Sequence, residues 1–338
     1  MIQTRLFTFG CSFTQYQWPT WADILGREFD LFENWGMCAG GNQFILNSLI
    51  ECNLRNKLQK TDTVIIMWSS ITRLDRYFNH GWHPTGNFLH PAALDNDNHI
   101  RDIYDYRGLL IRDLAVIEAS ARLLESIGCN YQFHSMIPID LLDQSCIEQS
   151  CIEQSAIEKY SNDIIDVLDL YKNTINRIKP SVYTTMYNND WSSLNGVDIS
   201  YAHHYPYRRS LEDFQENYNI KARPNWPLYD DFIKNNLTKI STSVLDELKK
   251  FDLYNKYTDI IKLNKMTSSR LQQILDIFSL ENIPKDYHPL PNIHLNYIQK
   301  AMLEFNISNE TIAWTNMHHD AVIDNEIIRF DRHQPQRL

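Results

Sequence analysis

No stretch of this 338-residue chain approaches the ~20 consecutive apolar residues of a membrane-spanning helix. Its start, Met1-Ile2-Gln3-Thr4-Arg5, lacks the apolar core of a secretory leader. The six cysteines, Cys11, Cys38, Cys52, Cys129, Cys146 and Cys151, contain no Cys-x-x-Cys pair and no regular framework. Free thiols in a reducing, cytoplasmic compartment are therefore expected, with no membrane partner. A phosphate loop and a Gly-x-Gly-x-x-Gly fingerprint are both absent, so no nucleotide cofactor is supported and none is expected. Basic residues number 32 against 42 acidic ones, a formal charge of -10, whereas duplex binding calls for a basic face. No nucleic-acid partner is expected. The adjacent histidines His203-His204 and His318-His319-Asp320 lack a third ligand at a known spacing and would point in different directions on a regular element. They read as loop or surface residues, and no metal site is expected.

What is present is an ordinary globular composition, 43% hydrophobic and 22% charged, with 12% aromatic residues. Apolar runs and helical spacing alternate through the first half. A strand at residues 6–9 is followed by a helix at 18–29, and a strand at 31–35 by a helix at 43–58 with Asn42 as N-cap. A third strand runs over 63–68, a long amphipathic helix over 109–127 ends at Gly128, and a fourth strand lies at 129–136. This order implies a parallel sheet with helices on both faces. Residues 75–106 read as an inserted loop or lid. Residues 144–158 repeat a five-residue unit whose period fits no sustained helical seam. Residues 160–178 read as helix, 181–187 as a strand or extended arm, and 230–280 as helical. No Gly/Ser linker separates these parts, so one core with a large, mostly helical insertion is expected. Nothing in the sequence sets the oligomeric state.

Two stretches carry chemistry. In Leu6-Phe7-Thr8-Phe9-Gly10-Cys11-Ser12-Phe13-Thr14 an apolar run stops at a glycine, and a hydroxyl residue follows two places later. That is how a buried strand delivers a nucleophile to a turn, although Gly-x-Ser also occurs at ordinary strand ends. In Asp286-Tyr287-His288-Pro289 a carboxylate shortly precedes a histidine in a proline-bounded loop, an arrangement that can orient an imidazole as a general base. Its plain alternative is a turn whose histidine caps the next helix. Cys11 is a second nucleophile candidate, weighed against a small buried side chain. His294 is a second base candidate, weighed against a helix-face role. Arg73, Arg208 and Arg209 are candidates for an anionic substrate, weighed against ordinary solvation.

Taken together, the Gly-x-Ser at the first strand, the small-residue loop Asn34-Trp35-Gly36-Met37-Cys38-Ala39-Gly40-Gly41-Asn42 and the polar turn Ser69-Ser70-Ile71-Thr72-Arg73 after the third strand form an ordered set with the Asp-x-His-Pro near the end. This set resembles the SGNH, or GDSL-like, hydrolases. It is most similar to a branch associated with phages, marine bacteria and surface-polysaccharide loci, through Phe9-Gly10-Cys11-Ser12-Phe13-Thr14, Trp18-Pro19-Thr20-Trp21-Ala22, Asn34-Trp35-Gly36 and His288-Pro289. The resemblance implies a flavodoxin-like three-layer α/β/α sandwich over residues 1–136 and 280–305. An insertion at 137–279 and an extension at 306–338 would complete the chain.

The resemblance also implies Ser12 as nucleophile and oxyanion donor, His288 as base and Asp286 as its orienting acid. A backbone donor would come from Ala39 or Gly40, and Asn42, Ser69, Ser70 and Arg73 would line the oxyanion and substrate site. The chain departs from the family pattern at Cys11 for Asp, at Ala39 for the second-block glycine, at Ile71 where the oxyanion Asn belongs and at Lys285 where the acid usually lies. The expected activity is a serine esterase or O-acyltransferase acting through an acyl-serine on acylated, such as acetylated, carbohydrate. Its partner would then be a small-molecule or glycan ester. The alternative is a binding or scaffolding protein that keeps the framework without efficient chemistry.

Overall fold

The computed structural model describes residues 4–78, 81–87, 106–139, 164–188, 197–198, 285–286, 288–324, 328–335 and 337. The first half runs β1 (Arg5–Phe9), α1 (Trp21–Gly26), β2 (Leu31–Asn34), α2 (Asn42–Asn56), β3 (Thr63–Trp68), β4 (Arg73–Phe78), β5 (Gly81–Asn87), α3 (Tyr106–Ile127) and β6 (Asn130–Ser135). Then come α4 (Ile165–Leu170), α5 (Lys172–Ile175), α6 (Val182–Tyr187), β7 (Val197–Asp198), β8 (Lys285–Asp286), α7 (Pro291–Ala301) and α8 (Asn309–Ile323).

Four of the strands form a parallel sheet in the order β2-β1-β3-β6, with Phe7 opposite both Glu33 and Val64 and Ile66 opposite Phe133. Successive side chains on a strand face opposite sides, so an unbroken apolar run requires cover on both. One face, from Phe7, Phe9, Val64, Ile66, Trp68 and Phe133, packs with residues of α2 and α3, including Ile45, Leu49, Leu110 and Ile117. The other, from Leu6, Phe32, Ile65 and Met67, packs with Trp21, Ile24 and Leu25 of α1 and Leu295, Tyr297 and Ile298 of α7. The result is a three-layer α/β/α sandwich around a parallel sheet. Gly128, with φ of +76°, ends α3 in the left-handed conformation that a side chain disfavours. Among the described residues, no helix is long and apolar enough to cross a membrane.

Four local expectations are corrected. The segment expected as a strand or arm at 181–187 is helix α6, because Ser181 Oγ accepts the N–H of Thr184 as an N-cap while Val182 and Tyr183 are buried. Local β-propensity gives way there to capping and packing. Within the expected loop at 75–106, β4 and β5 pair as an antiparallel hairpin, anchored where Trp82 meets the Phe44 ring edge-on. Helix α1 spans only Trp21–Gly26, since Thr20 is its N-cap and Asp23 accepts the Thr20 N–H in return. Asn42 is not the cap of α2. Gly41 holds that position, and the Asp75 carboxylate from β4 accepts the N–H groups of Gly41 and Phe44, each at 2.8 Å.

The chain divides into two compact units, Met1–Asn195 with His288–Asp320 and Arg329–Leu338, and Gly196–Tyr287 with Ala321–Ile328. In the first unit α6 packs on α7 and α5 on α3, and Phe133 and Ile178 form a parallel bridge beside β6. The described elements wholly within the second unit are the antiparallel pair β7 and β8. The five-residue repeat, the helical reading of residues 230–280, His203-His204 and Arg208-Arg209 lie outside the described residues.

Asp113 on α3 is fully buried, accepts Asn42 Nδ2 at 2.6 Å and pairs with Arg112, yet burial pushes its carboxyl up to about 6. The folded state thus holds the Asp113 proton more tightly than the unfolded chain, favouring folding in acid. That advantage is lost as pH rises from the ordinary carboxylate range through about 6. Wild type is expected to lose about 2 kcal/mol relative to Asp113→Asn between roughly pH 4 and 7.5, measured by urea unfolding at both. Parallel pH profiles for the two proteins would show that Asp113 titrates normally.

Candidate functional site

In this flavodoxin-like strand order the connection after β1 turns one way, to β2, and the connection after β3 the other way, toward β6. A crevice opens where they part, at the carboxyl ends of the strands. The turn after β1 lies there. Thr14 N–H and Gln15 N–H both bond to Cys11 O, at 2.9 and 3.0 Å, which puts Ser12 at the first bend. Gly10 makes this turn fit: a Cβ there would collide with Thr14 Oγ1 and lie 2.9 Å from Met67 O on β3. Cys11 is fully buried against Met136, Ile137 and Tyr183, with Sγ 3.5 Å from Met136 Sδ, as a small core side chain. Ser12 is 3% exposed. Among the described residues, neither its Oγ nor its N–H has a hydrogen-bond partner.

The loop after β2 lies against this turn. Met37 N–H bonds to Gly10 O at 3.0 Å, and Cys38 N–H to Gln15 Oε1 at 3.1 Å. Gly36 N–H bonds to Asn34 Oδ1, Gly40 N–H to Met37 O, and Gly41 N–H to Asp75. Of the six N–H groups from Gly36 to Gly41, that of Ala39 alone has no partner among the described residues. Ala39 also has φ of +65°, a left-handed conformation that costs a non-glycine residue energy and persists only where the surroundings enforce it. Of the two donors expected from the sequence, Gly40 N–H closes the Met37–Gly40 turn, and Ala39 N–H has no partner among the described residues.

The loop after β3 is tied inward. Asn42 is fully buried, its amide bonded to the Ser69 N–H, the Ser69 carbonyl and Asp113. Ser69 is fully buried, with Oγ 3.7 Å from Met136 Sδ. Ser70 Oγ shares a 2.7 Å hydrogen bond with Thr72 Oγ1. Ile71 packs in the core, so the position of the family's oxyanion Asn offers no side-chain donor here. Arg73 Nη1 donates to Gly40 O at 3.0 Å, while its buried Nε has no hydrogen-bond partner among the described residues.

From the far end of the sequence, His288 reaches the same turn as Ser12. Its ring stacks on Tyr16, with centroids 3.9 Å apart and planes 19° apart, and lies 5.9 Å from the Phe13 ring. Trp18 Nε1 donates to Pro289 O at 2.9 Å, which pins the loop. His288 is half-buried. His294, one turn into α7, is buried edge-on to Phe13, and burial pushes its imidazole down to about 3. Burial thus disfavours the protonated form that a general base must adopt. Asp286 lies in β8, in the second unit, and its side chain is outside the described residues. His318 packs edge-on against both Trp314 and Phe330, and among the described residues no group of three or more His, Cys, Asp or Glu could hold a metal.

Sequence reasoning missed Tyr16, Gln15, Asp75 and Arg337, whose Nη2 lies 2.6 Å from Gly36 O. Only Trp18, within a quoted motif, carried a local signal.

No family model and no curated protein matches the chain. Among solved structures it is similar to a GDSL-like lipase from Bacteroides thetaiotaomicron, at 12% identity and a TM-score of 0.29, covering 54% of this chain and 70% of that one. It is also similar to a member of the lipolytic protein G-D-S-L family from Veillonella parvula, at 13% and 0.30, covering 65% and 99%. Likenesses this slight place no residue and no reaction.

The close approach at Gly10 makes one substitution diagnostic. Gly10→Ala is expected to cost about 2 kcal/mol, because the new methyl meets the backbone of β3 and the Thr14 side chain cannot move out of its buried position freely. Chemical unfolding of the variant measures this, and a stability equal to wild type would mean that the turn accommodates a side chain.

Proposed function

We propose that this chain is a serine-dependent ester hydrolase or O-acyltransferase of the SGNH type, acting through an acyl-serine on acylated, such as acetylated, carbohydrate. The observation that carries the reading is a pair of amides on abutting loops, Ser12 N–H and Ala39 N–H, and the Ser12 hydroxyl, none of which has a hydrogen-bond partner among the described residues. Fixed donors of this kind are worth ~3 kcal/mol each where negative charge develops on oxygen.

In the proposed reaction Ser12 Oγ attacks the acyl carbon and His288 takes the hydroxyl proton. The carbonyl π electrons move to oxygen, where the Ser12 and Ala39 N–H groups bind the oxyanion. When the intermediate collapses, the bond to the alkoxy oxygen breaks, and His288 returns the proton to that oxygen as the alcohol leaves. Water or a sugar hydroxyl then attacks the acyl-serine by the same route, releasing the acid or the transferred ester and restoring Ser12. Asp286 is assigned to orient His288. The ring of Tyr16, stacked on His288, supports the imidazole from one face. The carbohydrate half of the proposal rests on the family resemblance and the aromatic-rich sequence.

A non-catalytic binding role is the second reading, favoured by one feature: Ile71 packs in the core where the family places an oxyanion Asn. An activated fluorophosphonate separates the two. Intact mass is expected to show one adduct on wild type, none on Ser12→Ala, and labelling slowed at least ~100-fold in His288→Ala. Labelling that persists in Ser12→Ala would exclude the serine mechanism, and a wild type that stays unlabelled and turns over no acetyl ester would favour the binding role.

A further inference from the structure

Residues 329–335 and 337 belong to the stretch expected only as an extension at 306–338, yet they lie along the edge of the sheet and reach the candidate oxyanion loop. His333 O accepts the N–H of Asn34 on β2, Arg332 Nη2 donates to Gln17 O at 3.1 Å, and Arg337 Nη2 donates to Gly36 O at 2.6 Å. The Arg337 guanidinium also lies over the Phe44 ring, 4.9 Å from its centroid, and Phe44 stands in the first turn of α2, directly after the loop. At the other end of the loop, Arg73 donates to Gly40 O. Two guanidiniums thus hold the carbonyls on either side of the Met37–Gly40 turn.

That turn has a cheaper alternative. A positive φ at its third residue is the type II arrangement, which favours glycine, and this chain has Ala39 there. Relaxation to a type I turn keeps the Met37 O to Gly40 N–H bond but turns over the central Cys38–Ala39 peptide, reversing the direction of the Ala39 N–H. A strained turn persists where its surroundings over-determine it. Fixing both flanking carbonyls does that.

We propose that Arg337 is a positioning residue for acyl transfer: with Arg73 it clamps both ends of the Gly36–Gly40 loop and keeps the turn in the form that presents the Ala39 N–H to the oxyanion. This rests on the serine reading above. The clamp never touches the substrate, so its loss acts through the orientation of one donor and falls on kcat. Burial pushes the Arg337 guanidinium down only to about 10, so it stays cationic across the working pH range.

The test uses full-length protein and 4-nitrophenyl acetate. Arg337→Ala is expected to lower kcat ~10- to 100-fold with KM within about twofold. Millimolar guanidinium should restore part of the loss, and so should adding Ala39→Gly, which makes the type II turn less costly without the clamp. Arg337→Lys, which keeps the charge and most of the apolar stem, guards against a misfolded alanine variant and should fall between wild type and Arg337→Ala. Wild-type kcat in Arg337→Ala, in protein whose turnover depends on Ser12, would overturn the clamp and leave the serine reading intact. So would a loss of kcat rescued by neither guanidinium nor Ala39→Gly. Absence of Ser12-dependent turnover in the wild type would overturn both.

Discussion

The sheet is buried on both faces, and the remaining architecture follows from that constraint. Leu6, Ile65 and Met67 need α1 and α7 on one side, while Phe7, Phe9, Val64 and Ile66 need α2 and α3 on the other. Helices on both sides make each crossover a return to the same end of the sheet, so β1, β2 and β3 all finish at one edge. The loops that leave this edge run over buried side chains such as Trp35, Trp68 and Met136, with little water to satisfy their backbones. They bond to one another instead: Met37 to Gly10, Cys38 to Gln15, and Ser69 to Asn42. The N–H groups of Ser12 and Ala39, which have no partner among the described residues, are the functional candidates on these loops.

The same reasoning explains what the sequence disclosed. The four central strands and the long helix ending at Gly128 were legible, and Ser12 and His288 could be singled out as candidates, because each leaves a local mark, as an apolar run, a helical period or a short motif. Asp75 left none: its carboxylate caps a helix that begins at the other side of β3, and a capping residue is recognised locally only when it precedes its helix. The expectation that Asn42 caps α2 failed for that reason. Tyr16 beneath His288 and Arg337 at Gly36 O are likewise contacts between distant parts of the chain, and neither side chain is unusual in its own neighbourhood. In α6, Val182, Tyr183 and two threonines suggested a strand, and only the Ser181 cap together with burial against Cys11 and Met136 made it a helix.

For an acidic chain, the carboxyl edge of the sheet carries a notable set of cations. Arg332 donates to Gln17 O, after β1; Arg337 and Arg73 donate to Gly36 O and Gly40 O, after β2; Arg112 donates to Ile71 O, after β3, and to Arg73 O. The three loops that follow β1, β2 and β3 at the candidate site are therefore each held through a carbonyl by a guanidinium. Beneath them lie the carboxyls of Asp23, Asp75 and Asp113, all pushed up by burial and each drawn back by a neighbouring arginine.

Buried ionic layers of this kind are weak sources of net stability, because desolvation offsets most of the attraction, but they fix geometry where apolar contacts would permit sliding. A turn that must hold Ala39 in a left-handed conformation requires fixed geometry more than additional stability. Guanidinium groups anchored to backbone carbonyls also hold the loops that carry Ser12 and Ala39 in place. In the proposed reaction the two N–H donors would then need no rearrangement as charge develops on the carbonyl oxygen.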